Sequence, residues 1–287
     1  ACQKGDVEIC DWLYHNGASQ DVRTFDTFSS SPMLLACENG HVQICDWLYH
    51  HNAAPDIFLA NSEGWTPLTT ACNSGDILTL NWLYHHGCDE NSGALTSQDK
   101  YGYTPLAHAC FSGQLEVCKW LITPSLRGVN PAPSSNPSST PSSSSTSWLV
   151  AGDQMCNEDV INDNEEYDLS LLNVCNMDGE TPLMLACKAD NGFPVCQWLV
   201  KKGAQLDRVD ASSKTLLSWI CQYNRLEFCQ WLMKYTQNPQ NNHNIHNQQI
   251  AQSSLIDQSI YHHNTNHPNP TLTPSSTSTS TSTSTTL

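Results

Sequence analysis

Apolar residues recur in short bursts with helical spacing, not in long runs or strict alternation. Gly40–Leu48 reads GHVQICDWL, and its apolar positions are Val42, Ile44, Cys45, Trp47 and Leu48. That spacing predicts a two-turn helix with one apolar side. The burst returns as GDVEICDWL at Gly5, GDILTLNWL at Gly75 and GQLEVCKWL at Gly113, then as GFPVCQWL at Gly192 and RLEFCQWL at Arg225. Ahead of five of these bursts stands a second block: SPMLLAC at Ser31, TPLTTAC at Thr66, TPLAHAC at Thr104, TPLMLAC at Thr181 and TLLSWIC at Thr215. Successive starts of this block lie 35, 38, 77 and 34 residues apart. Two coupled blocks at such steps mark a repeat architecture.

Each unit reads as a helix pair. Ser or Thr before Pro is a helix entry, because the hydroxyl caps free amides and Pro tolerates the first turn. Gly40, Gly75 and Gly113 stand where a left-handed residue would end the first helix. Gly17, Asn52, Gly87 and Gly203 stand at the end of the second, and Gly64, Gly102 and Gly179 predict a tight turn before the next entry. One such pair cannot bury its own apolar side, whereas stacked neighbours can.

At these residues the chain resembles the ankyrin-repeat family. Thr66-Pro67-Leu68, Thr104-Pro105-Leu106 and Thr181-Pro182-Leu183 match the family's T-P-L-H-x-A block, with Ala71, Ala109 and Ala186 as its Ala. Gly17-Ala18 and Gly203-Ala204 match its G-A ending. The resemblance covers residues 1–122 and about 172–235. It implies an all-α fold, an ankyrin-type α-solenoid of stacked helix-turn-helix units with turn fingers. It also implies five recognisable units behind a truncated leading one. The family's His is replaced by Leu34, Thr69, Ala107 and Met184, which weakens its loop bracing. The last unit carries Leu216 and Ile220 for Pro and Ala, which suggests a divergent C-terminal cap.

The 77-residue step holds about 44 residues beyond one unit. Residues 123–171 are therefore expected to be a disordered insertion, Ser/Pro-rich and then acidic, at one edge of a stack that continues through it. Pro131–Ser147, with 4 Pro and 9 Ser in 17 residues, reads as a linker. The Asn/Gln-rich and Ser/Thr-rich stretch 236–287 reads as a disordered tail. A chain opening inside a unit suggests a fragment or the recognition portion of a larger protein.

Charge changes the picture of partners. With 12 Lys and Arg against 28 Asp and Glu, the net charge is −16 over 287 residues. That disfavours nucleic acid and anionic membrane surfaces, since both need a basic footprint. The charge is uneven: residues 1–122 hold 14 acids and 4 bases, whereas 173–235 hold 6 acids and 7 bases. Acids from Glu158 to Asp168 offer a second surface for a basic partner. Asp168–Leu172 also has the form of an acidic dileucine signal, although Leu172 opens a repeat turn.

Fourteen Cys residues invite a thiol-rich metal or redox reading. Eleven of them recur at two repeat positions, and Leu80 stands at one of these, so the site accepts a plain hydrophobe and Cys is read as small core. Equivalent positions in stacked units should lie about 10 Å apart, too far for zinc or a disulfide. Unpaired thiols then point to a reducing, cytoplasmic compartment. His15, His50-His51 and His85-His86 sit at helix ends, where a cation-capable ring is favourable. Trp12, Trp47, Trp82, Trp120, Trp198 and Trp231 recur as inter-unit core. No phosphate loop and no nucleophile motif is present. The expected protein is a monomer without cofactor, metal or catalytic site.

The resemblance implies binding through the turn tips and the exposed side of the first helices. Carried over by position, these residues are Glu38, Asn39, Glu63, Trp65, Asn73, Lys100, Tyr101, Tyr103, Phe111, Met177, Glu180 and Lys188. Exposed aromatics there would anchor a protein partner with a basic, partly apolar segment.

Overall fold

A computed structural model describes residues 1–128 and 167–237. The Pro131–Ser147 linker, the acids Glu158–Glu166 and the tail beyond Gln237 lie outside them. After α1 (Val7–Leu13), the helices come in five pairs: α2 (Pro32–Glu38) and α3 (Val42–Leu48), α4 (Pro67–Ser74) and α5 (Ile77–His85), α6 (Pro105–Phe111) and α7 (Leu115–Ile122), α8 (Pro182–Lys188) and α9 (Gly192–Lys201), α10 (Leu216–Gln222) and α11 (Leu226–Gln237). First helices α2, α4, α6, α8 and α10 pack in one row, second helices α1, α3, α5, α7, α9 and α11 in another.

The entries form as the sequence predicts. The hydroxyls of Ser31, Thr66, Thr104, Thr181 and Thr215 accept from the amide three residues on, at 3.1–3.3 Å. Each such cap contributes about 1 kcal/mol. Ala36, Ala71, Ala109 and Ala186 are fully enclosed, so the row of first helices closes up where the side chain is smallest.

The turn before each entry is braced by a residue five positions ahead of the cap. Oδ1 of Asp26, Asn61, Asp99, Asn176 and Asp210 accepts two amides each, two and four residues on, at 2.7–3.0 Å. The left-handed residue is Gly64 (φ 86°), Gly102 (φ 81°) or Gly179 (φ 74°), and Ser29 and Ser213 take the same conformation at φ 60°. Neighbouring turns are tied by one backbone bond each. Ser62 N–H donates to Phe28 O, Lys100 to Glu63 O, Met177 to Tyr101 O and Ala211 to Asp178 O, at 2.8–3.1 Å. The Met177 bond crosses the inserted segment, as does the packing of α6 on α8 and α7 on α9.

The ends of the insertion belong to the packed structure. Residues 123–128 and 167–171, expected as part of the extra segment, fold onto the second-helix side. Arg127 is buried because its guanidinium satisfies the Trp120 and Leu121 carbonyls and pairs with Glu90 at 3.0 Å. Asp168 N–H donates to Ile122 O at 2.8 Å.

The second helices α1, α3, α5 and α7 are linked through tryptophan. Trp47 Nε1 donates to Asp11 (3.3 Å), Trp82 to Asp46 (3.4 Å) and Trp120 to Asn81 (2.7 Å), always one unit back. Trp12 departs from the inter-unit core reading, since it is exposed. His51 and His86 stack on Trp47 and Trp82, and their Nδ1 atoms lie 2.6 and 2.7 Å from the Trp carbonyls.

The cysteines approach one another within a unit and not between units. Sγ–Sγ separations are 3.7 Å for Cys2–Cys10, 3.5 Å for Cys37–Cys45, 3.7 Å for Cys110–Cys118 and 3.8 Å for Cys187–Cys196. The two helices of a pair run antiparallel, so residues eight or nine apart meet across the hairpin. Burial pushes the Cys37 and Cys110 thiols well above their ordinary range, which keeps them protonated. The last unit, expected as a divergent cap, has an apolar outer side. Leu217, Leu226 and Met233 are exposed at positions where Leu106, Leu115 and Ile122 face the next unit.

Because the stack runs through the insertion, denaturant should unfold residues 1–128 and 167–237 together. Leu106→Ala, at a fully buried site between units, should cost about 2–5 kcal/mol of stability and lower the common midpoint accordingly. Separate transitions for the two halves would contradict this. Gly192→Ala should be severe, because a Cβ there would stand 1.8 Å from the Ala186 carbonyl oxygen.

Candidate functional site

The stack lays three columns of side chains along one side. At the turn tips stand Phe28, Glu63, Tyr101, Asp178 and Ser212, each two residues past its brace. Ser30, Trp65, Tyr103, Glu180 and Lys214 lie just before the caps, and Glu38, Asn73, Phe111, Lys188 and Gln222 lie in the last turn of the first helices. The regular braces and the turn-to-turn bonds hold these columns in register.

The aromatic centre spans the third and fourth units. Tyr101 is 53% exposed and Phe111 45%, with Met177 at 74% beside them. Tyr101 Oη donates to Glu63 Oε2 at 2.6 Å, which raises the phenol's pKa. Lys100 Nζ stands 4.0 Å from the other Glu63 oxygen. Trp65 and Tyr103 are half-buried side walls that pack on His108, at ring separations of 4.7 and 5.3 Å. Tyr103 also meets Phe111 edge-on at 6.4 Å.

The flanks are polar. Glu38 and Asn39 are exposed, although the Asn39 amide donates to Leu35 O at 2.8 Å and so finishes its own helix. Asn73 is half-buried and accepts from Ser112 Oγ. Glu180 does not project as expected. It is buried, 2.6 Å from Lys188 Nζ, and accepts from Asn176 Nδ2 at 3.0 Å. Lys188 Nζ and Lys214 Nζ both stand over the Trp219 ring, 4.5 and 4.6 Å from its centroid. Eight residues separate Glu180 from Lys188, so no local spacing rule reveals their pairing.

Three positions were missed from sequence. Phe28 is an exposed tip residue, but its turn uses Ser29 in place of Gly and lacks the landmark. His108 stands one residue after the family's His position, and its Nε2 lies 3.0 Å from Asp99 Oδ2. Trp219 takes the same place in the last unit, donating to Asp210 Oδ2 at 3.1 Å. Both brace their turns from within the first helix.

Among the described residues no group of three or more His, Cys, Asp or Glu side chains converges on a metal position. No helix there is long and apolar enough to cross a membrane.

With fold and face described, the family follows from direct comparison. A family profile described as ankyrin repeats in three copies matches residues 1–94 and 149–244. A second, described as ankyrin repeats in many copies, matches residues 68–122. The chain belongs to the ankyrin-repeat family, whose repeats are in general protein–protein interaction modules and typically non-catalytic. No curated protein matches the chain.

His108 gives the site a pH dependence. Burial lowers its pKa below the ordinary 6.5, and the nearby Asp99 carboxylate opposes that only in part. The unfolded chain then binds the extra proton more readily, so stability falls as pH drops below about 6.5. Thermal unfolding between pH 7 and pH 5 should show this loss, and His108→Gln should flatten it. An unchanged slope would remove His108 from the account.

Proposed function

We propose that the chain is a non-catalytic adaptor that captures a partner protein on the columns of turn-tip and first-helix side chains. Partner contact falls to Glu38, Asn39, Glu63, Asn73, Lys100, Tyr101, Phe111 and Met177, with Trp65 and Tyr103 as walls and Glu180–Lys188 as a fixed flank. The observation that carries this reading is the exposed Tyr101, Phe111 and Met177 on adjacent units, beside the acids Glu63 and Asp178. A segment alternating Lys or Arg with apolar residues fits such a surface. The adaptor acts as a monomer in a reducing intracellular compartment, consistent with the unpaired thiols among the described residues.

Panning displayed random peptides against the full chain tests this. Basic sequences with interspersed aromatic or aliphatic residues should be enriched, with affinity falling as salt rises. Tyr101→Ala with Phe111→Ala should weaken them by about 2 kcal/mol or more, with helical content unchanged. Enrichment of acidic peptides, or binding indifferent to both substitutions, would reject the reading.

A further inference from the structure

The fifth unit departs from the others in the turn between its helices. Its two cysteines are nine residues apart, against eight for Cys37–Cys45 and Cys110–Cys118. The extra residue reshapes Ala189–Gly192, and a cleft of about 410 Å³ lies between that turn and the last unit. Cys187, Cys196, Phe193, Phe228, Asp190 and Arg225 line it. Arg225 is fixed there, with Nε donating to Cys187 O at 3.0 Å and Nη2 to Lys188 O at 3.1 Å. Cys187 and Cys196 bring their sulfurs to 3.8 Å at this cleft. Cys187 and Cys196 are themselves buried, each about 1% exposed, and reach the outside only through the wall of this cleft, whereas Cys37, Cys45, Cys110 and Cys118 are fully enclosed between units.

We propose that Cys187 and Cys196 form an oxidisable dithiol site, open through this cleft to a small peroxide and closing to a disulfide within the unit. The Cys196 sulfur, as thiolate, attacks one peroxide oxygen. The O–O bond breaks, and the departing hydroxide leaves as water with a proton, giving a sulfenic acid. The Cys187 sulfur then displaces that oxygen, forming the S–S bond and releasing a second water. Two thiols supply two electrons, and one hydrogen peroxide becomes two waters. Arg225 favours the thiolate at Cys196, although burial opposes it more strongly, so the reaction should quicken as pH rises.

The test is peroxide treatment of the folded full chain, followed by blocking of free thiols in denaturant and non-reducing tryptic mapping. Trypsin cuts after Lys188, so the disulfide joins two peptides. The joined pair should appear about tenfold or more faster than the Cys37–Cys45 and Cys110–Cys118 disulfides, faster at pH 9 than at pH 7, and should vanish in Cys196→Ser. Equal rates for the three pairs, formation only after unfolding, or a different partner for Cys187 would overturn the proposal.

Discussion

The structure depends on one constraint: a two-helix unit of this size has an apolar side it cannot cover. Leu68, Leu106 and Leu183 are buried only because the next first helix lies against them, and the small Ala71, Ala109 and Ala186 let it come close. Everything else serves to keep successive units in one register. The braced turns set the spacing on one side, and as far as α7 the Trp-to-Asp or Trp-to-Asn bonds set it on the other.

That register also makes the binding side. A turn tip alone is a few exposed residues on a loop, but fixed beside its neighbours it becomes one row of a surface. The acidic first units and the near-neutral last two make the surface graded in charge. Its aromatic centre falls just before the insertion, whose ends are held by Arg127 and Asp168 on the other side of the stack. The insertion therefore leaves the fourth and fifth units in direct contact.

Much of this was legible in the sequence, because caps, helix ends and turn glycines act locally. Thr66, Thr104 and Thr181 announce their helices, and the step lengths place the insertion. The braces at Asp99 and Asp210 were legible only through the repeat, as an Asp or Asn five residues before every cap. Contacts across the hairpin were hidden: the Cys37–Cys45 approach and the Glu180–Lys188 pair depend on how two helices cross. Glu180 shows the cost of carrying a binding role over by position alone, since Lys188 draws it into the interior.

The central claim is that one continuous stack runs past the insertion, and the Met177 amide reports on it most directly. Its N–H donates to Tyr101 O, across a gap of 76 residues in sequence. Amide hydrogen exchange in the full chain should find Met177 protected to the same degree as Lys100 and Ala211, which make the equivalent bond between other units. Exchange of Met177 at the rate of an unstructured peptide, with Lys100 still protected, would contradict a continuous stack.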